Sequence, residues 1–428
     1  MTGPVDAALA GVWRIESARI VAGVARVVRD VGLAEELAQD ALVAALETWG
    51  RDDIPERPGA WLLTCARNKA FDLLRRDRAL RAKLEQIGLD LEAQEALSVP
   101  DFVDDLDARR RDVLQDDLLR LMFTACHPVL SRDARLALTL KLLGGLSTGD
   151  IARAFLVPET TMAQRIVRAK RTLGEAKVAF ELPPPSELGE RLGVVLEAVY
   201  LIFNEGYAAT TGSDWMRPAL TDEALRLGRI LAGLAPNEPE VHGLVALMEL
   251  QASRMAARID AAGAPVLLLD QDRARWDGVL IRRGLTALER AAALPIPPGP
   301  YVLQARIAAC HASAHRADLT DWRRIAALYG DLAAVQPSPV VELNRAVAVG
   351  MADGPAAGLL LVERLRQDGR LDGYHWLPSV RADLLLKLGR VDEARTEFER
   401  AAALTANARE RALLMARAHA AGHAAAPP

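Results

Sequence analysis

Apolar residues recur every three or four positions along most of this chain, and period-two alternation is rare, so the pattern predicts helices almost throughout. The first helical blocks run from about Val12 to Asp30, Leu33 to Trp49 and Pro58 to Arg81. Gly32 marks the first break, and the run Gly50 to Gly59, with Pro55 and Pro58, marks the second. In the second block Ala38, Leu42, Ala45 and Trp49 form a core stripe, with Glu36, Asp40 and Glu47 on the opposite face. Further on, Ser147 to Phe155 reads as a short helix whose Ser147 and Asp150 have capping-box spacing. Leu156, Val157 and Pro158 make a turn, and Glu159 to Leu173 follows with Met162, Ile166, Ala169 and Leu173 on one apolar face.

Pro183, Pro184 and Pro185 close this region, because successive prolines cannot continue a helix. Two more helical blocks, Leu188 to Leu294 and Tyr301 to about Ala420, are parted by the Pro-Gly cluster Pro295 to Pro300. In LLLKLGRVDEARTEFERAAAL, Gly389, Ala394, Phe398 and Ala401 have the small-large-small spacing of a tetratricopeptide helix pair. The fold class expected is therefore all-α. Two small helical domains (10–83 and 116–180) are joined by a linker (84–115), and a helical extension (186–294) leads into tetratricopeptide-like repeats (300–420). Such arrays present a concave surface to a protein or peptide partner.

Charge changes this picture of a scaffold. The formal net charge of −4 conceals three opposed segments. Trp61 to Lys83 carries seven Lys/Arg against two Asp, Leu84 to Asp117 three Arg against eleven acids, and Leu118 to Val178 ten Lys/Arg against four acids. Basic residues clustered on helices are the footprint of phosphate binding, since each neutralised phosphate releases condensed counterions. Two basic lobes separated by an acidic linker predict two DNA contacts per chain. In a helix-turn-helix, the start of the second helix reads base edges while later basic residues hold phosphates. Thr160, Thr161, Gln164 and Arg165 are the base-edge candidates; Arg168, Lys170 and Arg171 are placed for the backbone. An amphipathic hairpin with a solvated basic face is the plainer alternative.

Other chemistry is thinly represented. Cys65, Cys126 and Cys310 are far apart and odd in number, which argues against a disulfide framework or a paired-cysteine zinc site. Cys310, His311 and His315 offer only three candidate metal ligands, with no nearby carboxylate completing a set, and packing is the expected role; Cys126 and His127 read the same way. No phosphate-cradling glycine loop or nucleophile elbow is visible, so neither catalysis nor a cofactor is expected. No uncharged apolar run approaches the ~20 residues that cross a bilayer, and the N-terminus lacks a signal pattern; a cytoplasmic location is expected.

Three ordered segments, AEELAQDALVAALETW, RPGAWLLTCARNKAFDLLRR and LSTGDIARAFLVPETTMAQRIVRAKRTL, resemble the two domains of bacterial extracytoplasmic-function sigma factors of the sigma-70 family. YLIFNEGY and LLDQDRARWD are similar to segments of the group with a long tetratricopeptide-like C-terminal extension. The resemblance implies a promoter-specificity subunit whose partners are promoter DNA and core RNA polymerase, through the β′ clamp helices and the β flap. It implies that Glu36, Gln39, Asp40 and Glu47 dock on the clamp, and an acidic face beside an apolar stripe suits a basic partner. It further implies that Gly50 to Arg76 opens and reads the downstream element. Arg51, Arg57, Asn68, Lys69, Asp72, Arg75 and Arg76 match the need for a positive groove, whereas Trp61 and Phe71 are expected in the core. The acidic linker, by the same comparison, threads through the polymerase toward the RNA exit path; a solvated spacer is the alternative.

In the extension, Asn204-Glu205-Gly206 fits a helix C-terminus with a left-handed glycine, Asp270 fits a helix cap, and Arg273 with Asp277 has i, i+4 spacing. The resemblance makes Asn204, Glu205, Asp270 and Arg273 candidates for a regulatory interface. Two rival readings remain: a stand-alone helix-turn-helix regulator whose array senses a ligand or dimerises, and a scaffold for acidic proteins.

Overall fold

The computed structural model describes residues 4–52, 54–86, 107–155, 157–207, 216–260, 265–405 and 407–424. It is all-helical, and the strand-like pairing among the described residues is a single antiparallel bridge between Ile259 and Pro265. The chain divides into two compact units, Met1–Ala198 and Val199–Pro428.

In the first unit α1 (Pro4–Val28), α2 (Val31–Asp52) and α3 (Pro58–Gln86) pack on one another. Their seam is largely alanine: Ala22, Ala25, Ala34, Ala38, Ala41, Ala45, Ala66 and Ala70 are buried, with Trp49 and Leu62 filling the wider gaps. Small residues at the crossings bring helix axes close. The first break differs from the expected one. Arg29, with φ of 56°, ends α1 in the left-handed region, and the Asp30 carboxylate accepts from Leu33 N–H at 2.8 Å, so Gly32 falls inside α2.

The second basic region contains α4 (Asp107–Ala125), α5 (Arg132–Leu142), α6 (Thr148–Ala154) and α7 (Glu159–Glu175). α4 begins within the acidic linker, most of which lies outside the described residues. α8 (Pro185–Tyr207) starts at the last of the three prolines, and the division between units falls within it. Its first part belongs to the first unit, where Arg191 donates to the Phe123 carbonyl at 3.1 Å and Glu197 lies 3.8 Å from Arg135.

The second unit continues with α9 (Pro218–Leu234), α10 (Pro239–Ala252), α11 (Gly278–Ala293), α12 (Pro300–Ser313), α13 (Trp322–Val335), α14 (Pro339–Ala352), α15 (Pro355–Asp368), α16 (Trp376–Lys387), α17 (Val391–Leu404) and α18 (Ala408–Ala424). Proline opens α9, α10, α12, α14 and α15, where its missing N–H costs no helical hydrogen bond. From α12 onward each helix packs on the next, which gives the helix-pair succession of a repeat array. Gly389, at φ of 74°, makes the left-handed turn between α16 and α17, and Ala394, Phe398 and Ala401 are buried behind it. α10 is apolar on nearly every face and packs against α9, α11 and α12. Its Glu240 carboxylate accepts from the N–H groups of Gly299, Tyr301 and Val302 at 3.0, 2.8 and 3.2 Å, capping α12 from a neighbouring helix.

Candidate nucleic-acid and polymerase interface

The helix-turn-helix is built from local signals that the structure displays individually. Asp150 N–H donates to Ser147 Oγ at 3.0 Å and Ser147 N–H to the Asp150 carboxylate at 3.3 Å, closing the capping box of α6. Leu156, in the turn, lies outside the described residues. On α7, Met162, Ile166, Ala169 and Leu173 are buried, which leaves Thr160, Thr161, Gln164, Arg168 and Arg171 exposed on the opposite face. Val167, 63% exposed, flanks this face and was not singled out by the sequence. Arg165 is half-buried with its guanidinium 3.4 Å from Asp133, while exposed Arg171 lies 3.0 Å from Glu175. Lys170 sits apart: its ammonium pairs with Glu35 on α2.

A second surface lies on α2. Glu36, Gln39, Asp40 and Glu47 are all exposed, and Val43 and Leu46, 53% and 44% exposed, lie among them. The face is thus an apolar centre with an acidic rim, the anatomy of a docking patch. Sequence reasoning missed Val43 and Leu46 because apolar residues in a helical pattern read as core.

On α3, Asn68, Asp72, Arg75 and Arg76 are exposed, Lys69 is half-buried, and Arg75 pairs with Asp72. Arg57 is exposed just before α3; Arg51 is in the last turn of α2. Phe71 corrects the expectation of a core residue. It is 39% exposed and lies between Asn68 and Arg75 on the helix surface, because the seam is already filled by Leu62, Ala66 and Ala70. Trp61 is half-buried, edge-on to Trp49 at 5.5 Å between ring centroids.

The two basic regions touch through buried charge. Glu35, 3% exposed, pairs with Lys170 of α7, lies 3.6 Å from Lys141 of α5, and accepts from Gln39 at 2.7 Å. Asp117 of α4, fully buried, lies 3.4 Å from Arg26 of α1 and 2.9 Å from Arg120. Pairs of this kind hold a defined arrangement more than they add stability, because desolvation offsets most of the attraction.

In the second unit, Glu205 pairs with Arg217 and Asn204 is hydrogen-bonded to Tyr200. Gly206 is not left-handed as the sequence suggested. It lies inside α8, where a Cβ would stand 2.5 Å from Thr221 N and 2.6 Å from Thr221 Oγ1, so the glycine serves close approach to α9. Asp270 is exposed and caps no helix among the described residues; Asp272 and Asp277 perform that role, accepting from Ala274 and Val279 at 3.0 and 2.8 Å. Arg273 does not meet Asp277: it donates to the carbonyls of His311 and Ala314 at the end of α12 and packs 4.7 Å over the Trp276 ring.

His311 packs edge-on to Trp322 at 5.2 Å. Burial, with Arg254 and Arg273 nearby, pushes its imidazole down to about 4, and flanking guanidiniums repel a metal cation as well as a proton. Its neutral form is therefore native at neutral pH. Because the folded value is depressed below that of the unfolded chain (~6.5), stability is full above about pH 6.5 and falls as pH drops toward 4. The loss reaches about 3 kcal/mol. Urea melts at pH 7.5 and 4.5 should show that His311→Phe removes this part of the acid sensitivity; an unchanged pH difference would contradict it. Cys126 is buried with its Sγ 3.3 Å from Thr139 Oγ1, and burial pushes the thiol up to about 11. His127 accepts from Val129 N–H at 3.2 Å. Both are packing residues.

Comparison with known proteins matches residues 15–80 to sigma-70 region 2, residues 120–173 to sigma-70 region 4, and residues 191–292 to a family of unknown function (DUF6596). The chain is 45% identical over 390 residues to the uncharacterized protein R00370 of Rhizobium meliloti (strain 1021), covering 91% of this chain and 90% of that one. It is 28% identical over 156 residues to the ECF RNA polymerase sigma factor SigK of Mycobacterium ulcerans (strain Agy99), covering 36% of this chain and 78% of the relative. The probable ECF RNA polymerase sigma factor SigI of Mycobacterium tuberculosis (strain ATCC 25618 / H37Rv) is 26% identical over 181 residues, 42% of this chain and 58% of the relative. No solved structure matches. With regions 2 and 4 in order ahead of a matched helical extension, the chain belongs to the extracytoplasmic-function sigma factors of the sigma-70 family, in the group that carries a long C-terminal extension.

Proposed function

We propose that this non-enzymatic initiation factor brings core RNA polymerase to its promoters by reading the upstream element with α7 and opening the downstream element with α3. The observation that carries the reading is α7 itself, whose buried stripe Met162, Ile166, Ala169 and Leu173 leaves Thr160, Thr161, Gln164, Arg168 and Arg171 exposed together. The face of α2 around Asp40, Val43 and Glu47 docks on the clamp helices of β′, and the region-4 domain meets the β flap. Exposed Phe71 among Asn68, Asp72 and Arg75 supplies a stacking surface for an unpaired base. The protein acts in the cytoplasm, where polymerase and DNA are. The C-terminal array, with Asn204, Glu205, Asp270 and Arg273 near its start, assists assembly of the initiation complex or receives a protein partner.

Run-off transcription from duplex promoter DNA with sigma-free core polymerase tests the reading. Initiation on addition of this chain supports it; DNA binding without initiation replaces it with a stand-alone regulator. A second arm compares the full chain with one cut after Ala198, so that the part of α8 that binds Phe123 and faces Arg135 is kept. Lower initiation by the shorter chain supports assistance, and equal initiation makes the extension dispensable at this step.

Base reading and phosphate holding separate by mutation. Gln164→Ala should change upstream-element preference by about 1 to 3 kcal/mol at one position, the worth of a bidentate base contact. Arg171→Ala should weaken all sequences alike and reduce the salt slope by about one. Binding titrations over a promoter panel at several salt concentrations check both; identical specificity profiles would overturn the division of roles.

A further inference from the structure

Arg29 and Lys177 are the non-glycine residues with left-handed φ among the described residues, at 56° and 49°. They come from opposite ends of the first unit's sequence, yet line the same groove, an open cavity of about 350 Å³ between the α1–α2 junction and the end of α7. That volume lies within the ~300 to 1,000 Å³ of small-molecule sites. Each residue ends its helix at a position where glycine is favoured, and each places a cationic side chain where glycine would have none. Both are exposed, and neither has a carboxylate partner among the described residues. Of the groove's other charged residues, Lys170 is paired with Glu35, and Asp30 has one carboxylate oxygen held by Leu33 N–H. The carbonyls that close α7 are also occupied, Thr172 by Ala176 N–H, Leu173 by Val178 N–H and Gly174 by Lys177 N–H, so they do not compete for the ammonium.

We propose that this groove binds a diphosphate-bearing anion between Arg29 and Lys177. Two phosphate groups meet two cations that have no carboxylate partner among the described residues, one contributed by the region-2 side and one by the region-4 side, so a bound anion ties the two regions together. Given the initiation role proposed above, such a ligand favours the arrangement held by Glu35 and Asp117; the binding itself is independent of that role.

The test is thermal melting of the full chain titrated with inorganic pyrophosphate and, separately, with adenosine diphosphate, at ionic strength matched with chloride. A saturable rise in melting temperature with either ligand is expected. Equal shifts assign the site to the diphosphate alone, and a tighter response to the nucleotide assigns part of the groove to the nucleoside. Arg29→Gly and Lys177→Gly should each melt above the unliganded parent, because glycine relieves the left-handed backbone, yet bind pyrophosphate at least tenfold more weakly. Arg29→Lys and Lys177→Arg should retain binding. No shift beyond the chloride control, or glycine variants that respond as the parent does, would overturn the site. Because no polymerase or promoter enters the assay, its failure leaves the initiation role untouched, and loss of that role leaves the binding result standing.

Discussion

Reversing Asp40 and Glu47 to lysine together should weaken binding to core polymerase by at least about 100-fold, while the melting temperature of the chain stays nearly unchanged. The first expectation rests on complementarity: close charge pairs across an interface couple by about 1.5 to 7 kcal/mol, and two reversals turn attraction into repulsion at both sites. The second rests on exposure. Both carboxylates stand in solvent on the outer face of α2, while the helix is held by Ala34, Ala38, Ala41, Ala45 and Trp49 on its inner face. Exposed charges contribute little to folding stability. Val43→Ser and Leu46→Ser, made separately, should weaken binding without the salt dependence of the charge reversals, since they remove the apolar centre and keep the acidic rim. Affinity measured by titration, beside a melt, separates docking from folding. Full affinity with both charges reversed would move the docking surface off this helix.

Gly206→Val should destabilise the second unit by about 3 kcal/mol, the high end of the usual cost of overpacking. The added side chain meets backbone: Thr221 N lies 2.5 Å and Leu220 C 3.0 Å from the position of its first carbon. α8 and α9 would have to separate, which disturbs the Glu205 pair with Arg217 and the bond from Arg217 N–H to the Gly206 carbonyl at 2.7 Å. Asn204→Ala removes only a side-chain hydrogen bond and should cost about 1 kcal/mol. Urea unfolding of the three proteins gives the order directly. A Gly206→Val chain as stable as the parent would mean that α8 and α9 pack less closely than described, and would return the YLIFNEGY segment to a purely functional explanation.

Most of the fold was legible because the helical signals are local. The apolar stripe of α7, the capping box of α6 and the Gly389 turn each depend on residues within a few positions of one another. The helix ends that the sequence misplaced depend on something distant or unusual. Arg29 takes a conformation normally left to glycine, and Gly206 answers to Thr221 across a helix contact. Asp270 looked like a cap by composition, yet Asp272 and Asp277 stand at the positions from which a carboxylate reaches free N–H groups. The candidate interface followed the same division. Most candidate polar residues on α2 and α7 were readable as exposed, but Arg165 and Lys170 are half-buried beside Asp133 and Glu35. Phe71, Val43 and Leu46 were not readable, because an apolar residue announces core until its neighbours show the core is full. Glu35 and Asp117 carry no local mark at all, since their meaning lies in cations from other helices.

The three thiols bear on which kinds of stress the chain can register by itself. Burial raises each of them, Cys65, Cys126 and Cys310, above the ordinary cysteine value, with Cys126 at about 11. Peroxide and disulfide exchange act on the thiolate, and these groups stay protonated at cellular pH. A thiolate-dependent oxidant thus finds little thiolate to attack at these three side chains.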